Sequence, residues 1–334
     1  MFFITSFLSG DSTETSLFLV FLAIIIFFLA VDLGFFNKKA HKITTRSALF
    51  QSIFWVCISA AFGGLIYYNF SHSPEGTHQH AVNATVEYFT SYLTEKALSV
   101  DNIFVILLIL KYFRVKEEFF HKILFWGILG AVFFRAFFIF AGAYLVEQFH
   151  WILYLFGAFL VYSGTKIYFD KEEGKVDIEH NMVMRFCKKY LPIVADDASG
   201  KFLVIINGTL KFTPLFLVMV LIETTDILFA VDSIPAAFAI TQDEFLIYTS
   251  NIFAVLGLRA MFFLLAGIID RFYLLQKGLS IILVFIGGKM LMEYFGFQMS
   301  SVLSFIIIIT TLFLSIILSV LLPEKVPEDD EIKF

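Results

Sequence analysis

Long apolar stretches recur along almost the whole of this 334-residue sequence and limit what it can fold into. Hydrophobic residues make up 59% of the chain and charged residues 16%, whereas about 25% of a typical globular protein is charged. So few polar side chains cannot cover a soluble surface, and we therefore expect the apolar surface to face lipid. A membrane-spanning helix needs about 20 apolar residues. Candidate spans lie at 17–36, 47–70, 88–110, 122–146, 151–169, 215–240, 245–268, 274–296 and 300–322.

These nine segments are predicted to be helices, because backbone groups in lipid must find their hydrogen bonds within the same segment. The predicted fold class is thus an all-α polytopic membrane protein. Lys and Arg occur in the connections after spans one, three, five and seven, whereas the connections between these carry none. The positive-inside rule then places the N-terminus outside and the C-terminus in the cytoplasm. The first apolar run lacks a basic flank and a small-residue cleavage site, so we do not expect a cleavable signal peptide.

The connection after span five is long enough to hold structure of its own. Residues 170–214 are predicted to form a cytoplasmic insertion into a transmembrane domain that covers 1–322. Ile178, Val183 and Phe186 indicate a short amphipathic helix in it. The stretch 202–212 is typical of a β-hairpin, because its central Asn-Gly pair suits a two-residue turn. Residues 323–334 form an acidic C-terminal tail.

An internal repeat relates spans three to five (88–169) to spans six to eight (215–296). Each half carries an acid, a second acid, an arginine and a lysine in the same order. The corresponding pairs are Glu95 and Asp226, Asp101 and Asp232, Arg135 and Arg259, and Lys166 and Lys289. Because each unit has three spans, the two units run in opposite directions through the membrane. Inverted repeats of this kind are typical of secondary transporters, which bind their substrate near the membrane midplane between the repeats.

Charged residues within the spans need a partner or a function, because an ionised group at mid-bilayer costs roughly 2.5–3.5 kcal/mol on insertion scales. The acids concerned are Glu95, Asp101, Glu223, Asp226 and Asp232, with Asp32 near the inner end of span one. Neutral oxygens lie nearby on Ser99, Asn102, Thr224, Thr225 and Ser233. Carboxylate and neutral oxygens suit Mg²⁺, Ca²⁺ and Mn²⁺. The sequence therefore predicts a divalent-cation site that joins the two repeated motifs.

Two other interpretations of the same charges stay open at this stage. The acids could form structural ion pairs, since nearly as many bases lie within the spans. Those bases are Lys96, Arg135, Lys166, Arg259 and Lys289. The acids could also relay protons without binding metal, although protons and cations compete for carboxylates, so that a relay is compatible with a metal site.

Two long motifs, Glu95–Asn102 and Glu223–Pro235, resemble the signature stretches of the TerC/Alx family, as does Asp32-Leu-Gly34 at the end of span one. The resemblance covers roughly residues 15–322. It implies an integral protein of the bacterial inner membrane linked to manganese efflux and, by name, to tellurium-ion resistance, in a family grouped with LysE-like exporters. The Mn²⁺ ligands that it implies are Glu95, Asp101, Asn102, Glu223, Asp226 and Asp232. It also implies links to membrane-protein biogenesis and to metal-loaded exported proteins.

We therefore expect an inner-membrane secondary transporter that exports Mn²⁺ or a related divalent cation in exchange for protons or sodium. The alternative is an assembly or metal-loading factor without transport of its own, whose protein partner binds the 170–214 insertion. No conventional catalytic motif occurs, so neither enzymatic activity nor a prosthetic cofactor is expected. A nucleic-acid partner is not expected either, since a net charge of −5 gives no basic footprint for phosphate.

Overall fold

The computed structural model describes residues 12–36, 45–73, 77–169, 184–185, 187, 190–194, 200–206, 208–266, 273–293, 295–297 and 299–322. Within these ranges the chain forms apolar helices and a two-stranded antiparallel hairpin. The elements are α1 (Ser12–Phe36), α2 (Thr45–His72), α3 (His78–Tyr112), α4 (Glu117–Gln148), α5 (Ile152–Phe169), β1 (Leu203–Ile206), β2 (Thr209–Phe212), α6 (Pro214–Phe238), α7 (Glu244–Leu256), α8 (Leu258–Leu265), α9 (Tyr273–Glu293) and α10 (Ser301–Leu321).

Each predicted span overlaps a described helix, with α7 and α8 together forming the seventh. Six of the described helical segments are long and apolar enough to cross a membrane. They are Arg46–His72, Glu117–Gln148, Ile152–Phe169, Pro214–Phe238, Glu244–Leu265 and Ser301–Leu321. This confirms a predominantly helical, multi-pass membrane protein. Membrane crossing by α1, α3 and α9, and with it the count of nine spans, stays a prediction.

Helix α7 lies at the centre of the helix bundle, and its residues from Phe245 to Leu256 are all buried. A helix that is buried on every side has neighbours all round. Rings from α1 and α2 supply part of that packing. Phe253 lies 5.4 Å from Phe21 and 5.1 Å from Phe62 between ring centroids. The central position of α7 matters for the site, because this helix contributes a buried polar side chain to it.

Helices α5 and α9 pack closely and antiparallel through small residues. A Cβ atom added at Gly157 would lie 3.1 Å from the carbonyl oxygen of Gly287, and one added at Gly164 would lie 2.7 Å from that of Ser280. The residue order along α9 is thus opposite to that along α5. Small residues let membrane helices bring their backbones into direct van der Waals contact.

The predicted hairpin is present, with Leu203 opposite Phe212 and Ile206 opposite Thr209. Gly208 has φ +74°, as the Asn-Gly turn requires. The Thr213 hydroxyl donates to the carbonyl oxygen of Lys201 (2.7 Å) and accepts from the Phe216 amide (3.3 Å), so it joins the base of the hairpin to the first turn of α6.

Several expectations fall outside the described residues. Ile178, Val183 and Phe186, on which the predicted helix of the insertion rests, are among them, as are Asn207 of the hairpin turn and the tail 323–334. Within the same insertion, Met184, Arg185 and Cys187 have helical backbone conformation.

Candidate functional site

A fully buried arginine lies at the centre of the candidate site. The guanidinium of Arg135, on α4, forms an ion pair through Nη1 with Glu95 Oε1 on α3. The same nitrogen donates to Asn251 Oδ1 on α7 over 2.8 Å. Its Nη2 atom donates to Asp226 Oδ1 on α6 over 3.3 Å. Charged hydrogen bonds of this kind are stronger than neutral ones, so Arg135 holds four helices together at one point.

Both carboxylates that contact Arg135 keep an oxygen with no hydrogen-bond partner. The side chain of Glu95 is 2% exposed and that of Asp226 is 13% exposed. Glu95 Oε2 and Asp226 Oδ2 are buried atoms without a partner. Buried polar atoms without a partner are rare, because their loss of solvation is not offset. The pair therefore offers free lone pairs to a proton, a cation or a water molecule.

A third acid, Glu223, lies one turn before Asp226 on α6, and its charge interacts with that of Asp226. Its carboxylate occupies the space beside Gly130 of α4, where an added Cβ atom would collide with both carboxylate oxygens. Glu223 Oε2 is likewise buried without a partner. Glycine at position 130 is therefore what allows this carboxylate to lie against α4.

Asp232, also on α6, makes its contacts with residues of α5. Its Oδ1 atom accepts a hydrogen bond of 2.9 Å from the Ser163 hydroxyl on α5, and its charge interacts with that of the exposed Lys166. Asn102 is 3% exposed on α3. The backbone of Asp101 is helical, but its side chain falls outside what the structure describes, as does that of Asp32. Among the described residues, no three His, Cys, Asp or Glu side chains are grouped to hold a metal ion.

Two of the other predicted bases, Lys96 and Lys289, have contacts that the structure describes. Lys96 is adjacent to Glu95, and its Nζ atom donates to the carbonyl oxygen of Ala254 over 3.0 Å at the end of α7. Gly257, which separates α7 from α8, leaves room for that ammonium group. Lys289 Nζ donates to the carbonyl oxygen of Ala239 over 3.4 Å, just beyond the end of α6. These two bases therefore bind backbone oxygens at helix ends.

Arg259, the repeat counterpart of Arg135, is 8% exposed. Together with Asp226 it lines a cavity of about 20 Å³ whose other walls are mostly apolar. That volume is enough for one water molecule. A small space thus lies directly beside the Asp226 carboxylate.

Asn251 and Ser163 are site residues that the sequence reasoning did not identify. Asn251 is fully buried and contacts Arg135, and its signal in the sequence was the single carboxamide of its span, directly after Thr249 and Ser250. Ser163 lies three residues before Lys166 of the repeat, but its counterpart Ile286 is apolar, so the repeat gave no reason to select it.

Comparison with known proteins assigns the chain to a family. The model of the TerC integral membrane protein family matches residues 80–326. An uncharacterized membrane protein of Myxococcus xanthus is 40% identical over 310 residues, which cover 93% of each chain. A protein of Escherichia coli K12, named Alx and described as a proposed membrane-bound redox modulator, is 42% identical over 276 residues, or 82% of this chain and 85% of that one. The Alx protein of Salmonella typhi matches to the same extent. No solved structure matches the chain. With this match over most of its length, the chain belongs to the TerC family of integral membrane proteins.

Proposed function

We propose that this protein is a secondary transporter of the bacterial inner membrane that exports Mn²⁺, or a related divalent cation, in exchange for protons or sodium. The observation that carries the proposal is that buried carboxylate oxygens of Glu95, Glu223 and Asp226 have no hydrogen-bond partner, although the described side chains are not grouped around a single metal position. Oxygen ligands of this type suit hard divalent cations. The N-terminus lies outside and the C-terminus in the cytoplasm in this proposal, and the protein works by binding and release rather than by catalysis.

Arg135 gives the proposed site a way to release its cargo. The guanidinium already occupies one oxygen of Glu95 and one of Asp226, so an entering cation competes with it for the same two carboxylates. Protons compete for them as well. A site whose ligands have alternative partners binds its cargo weakly enough to let it go, which export requires. Asp101 and Asp232 complete the proposed ligand set from the second acid position of each repeat, with Asn102 beside Asp101.

The inverted repeat belongs to the same proposal, and the packing of α5 on α9 supports it. The repeat alignment pairs Gly164 with Gly287, and therefore Gly157 with Ser280. In the structure Gly157 faces Gly287 and Gly164 faces Ser280, so exchanging the two repeats turns each contact into the other. Glu95 and Asp226, which are also counterparts, both bind Arg135. An approximate twofold axis between the repeats would account for the two contacts between α5 and α9, whereas the Arg135 contacts involve the arginine of one repeat only.

Purified protein in liposomes tests the transport function. We expect Mn²⁺-dependent quenching of an enclosed indicator dye with the unmodified chain, and background rates with Asp226→Asn, Asp101→Asn and Asp232→Asn, because each change removes a charged oxygen ligand. Glu118→Gln is the matched control, since Glu118 is exposed in the first turn of α4. Unchanged flux in all three site variants would contradict the proposed site.

The alternative function, assembly or metal loading of exported proteins, has one observation in its favour. A groove of about 570 Å³ lies between the ends of α3 and α6 and part of the insertion. Its lining includes Tyr112, Phe113, Met184, Ile193 and Leu217. A partner-dependent function predicts no flux in pure liposomes and a stable protein complex that is disrupted by Tyr112→Glu, since Tyr112 lines the groove and is 46% exposed.

Gly130→Ala tests whether the position of the Glu223 carboxylate matters for transport. The added methyl group collides with that carboxylate, which is the end of a flexible side chain, so we expect the protein to fold and Glu223 to move. The Mn²⁺ transport rate should fall about tenfold, which corresponds to roughly 1.4 kcal/mol. Gly127→Ala, one turn away on α4, is the matched control, because its methyl group would meet Ile222 at an ordinary 3.5 Å. Equal rates for the two variants would show that Glu223 has no part in transport.

A further inference from the structure

One face of the β1–β2 hairpin is apolar throughout and largely uncovered. Strand pairing places Leu203 and Ile205 beside Phe212 and Leu210 on the same face. Ile205 is 74% exposed, Leu210 53% and Leu203 43%. Contact with water is unfavourable for a contiguous apolar surface of this kind, and a two-stranded hairpin is at best marginally stable by itself. The face therefore needs a covering surface.

The hairpin is connected directly to a membrane-spanning helix. Phe212 ends β2, and α6 begins two residues later at Pro214. The Phe212 ring lies 4.7 Å from that of Phe216 in the first turn of α6. A strand of four residues extends about 13 Å at roughly 3.3 Å per residue. Ile205 therefore cannot lie far from the level at which α6 enters the bilayer.

A second span holds the base of the hairpin at the same level. Lys122 on α4 donates through Nζ to the carbonyl oxygen of Gly200 over 2.9 Å. The same ammonium lies 4.8 Å from the centre of the Phe202 ring. Trp126, one turn further along α4, is 43% exposed and 6.5 Å from that ring. Exposed tryptophan near a helix end is typical of the interface between lipid and water.

The charges around the hairpin suit a lipid surface. Lys201 is exposed at the start of the hairpin, and Lys211 lies on the face opposite the apolar one. Long lysine side chains can keep their ammonium groups among lipid headgroups while apolar neighbours enter the acyl region. Basic residues at that level attract anionic lipids.

We propose that the hairpin is a membrane-interface anchor, with Leu203, Ile205, Leu210 and Phe212 inserted at the boundary between headgroups and acyl chains. Lys201 and Lys211 remain at the level of the anionic headgroups. The anchor fixes the first turn of α6 relative to the bilayer surface. The same helix carries Glu223 and Asp226 further along. The inference rests on the hairpin and holds whether or not the protein transports Mn²⁺.

Spin labelling of the full chain in vesicles tests the anchor. A single cysteine is introduced as Ile205→Cys or Thr209→Cys, after Cys57→Ser and Cys187→Ala, and the vesicles contain phosphatidylcholine and phosphatidylglycerol. Thr209 is the matched control because it is exposed on the opposite face. Oxygen concentrates in lipid, whereas a nickel chelate stays in water. We expect the label at position 205 to be accessible chiefly to oxygen, and the label at 209 chiefly to nickel.

Two results would overturn the proposal. High nickel accessibility at position 205 would place the apolar face in water, and low accessibility to both reagents would mean that protein covers it. Leu210→Cys, directly opposite Ile205 in the register, provides a second label on the same face if the first variant fails to fold. In vesicles of phosphatidylcholine alone we expect shallower immersion at both positions, because the lysines lose their anionic partners.

Discussion

Arg135→Gln is expected to destabilise the protein by about 3–5 kcal/mol, which is the range for removing one partner of a buried ion pair. The substitution leaves the carboxylates of Glu95 and Asp226 without their shared cation, in a place where water cannot compensate. Asn251 loses its partner as well. The effect is measured as a lower unfolding temperature in detergent, monitored by size-exclusion chromatography.

A second variant separates lost charge balance from lost packing. In Glu95→Gln combined with Arg135→Gln, one buried negative charge is removed together with the positive one, so we expect part of the lost stability to return. Arg46→Gln is the control for a general effect of removing an arginine, because Arg46 is exposed at the start of α2. If Arg135→Gln unfolds at the temperature of the unmodified protein, Arg135 does not hold the helices together.

The second large effect is expected at the contact between α5 and α9. In Gly287→Leu the new Cβ atom would lie 2.9 Å from the backbone nitrogen of Val161 and closer still to the carbonyl oxygen of Gly157. Backbone atoms cannot move aside as the end of a side chain can, so the helices must separate. Overpacking costs about 1–3 kcal/mol, and a leucine at a backbone contact should reach the upper end of that range.

The neighbouring Gly288→Leu is a closely matched control. A Cβ atom at position 288 would meet nothing within 4 Å, so this variant gains the same side chain one residue away without a collision. We expect its unfolding temperature to stay close to that of the unmodified protein. Equal destabilisation by both variants would mean that leucine harms α9 for a reason other than its contact with α5.

The helices could be predicted from the sequence because span length and hydropathy are local properties. The charged site residues could be identified for a related reason, because an ionisable residue within an apolar span is evident from the local sequence alone. The predicted acids Glu95 and Asp226 do meet at Arg135. The identity of the pair was not predictable, however, since it depends on how α3, α4 and α6 cross. Asn251 was missed for the same reason, because a neutral side chain becomes part of a site only through its neighbours.

The adjacent contacts of Glu95 and Lys96 have a mechanical consequence. Consecutive helical side chains point about 100° apart, and here one reaches Arg135 on α4 while the other reaches Ala254 on α7. Two contacts in different directions prevent α3 from turning about its own axis. Asn251 closes the triangle by joining α7 to Arg135. Helices α3, α4 and α7 therefore form a braced frame, and Asp226 joins α6 to it through the longer 3.3 Å contact with Arg135.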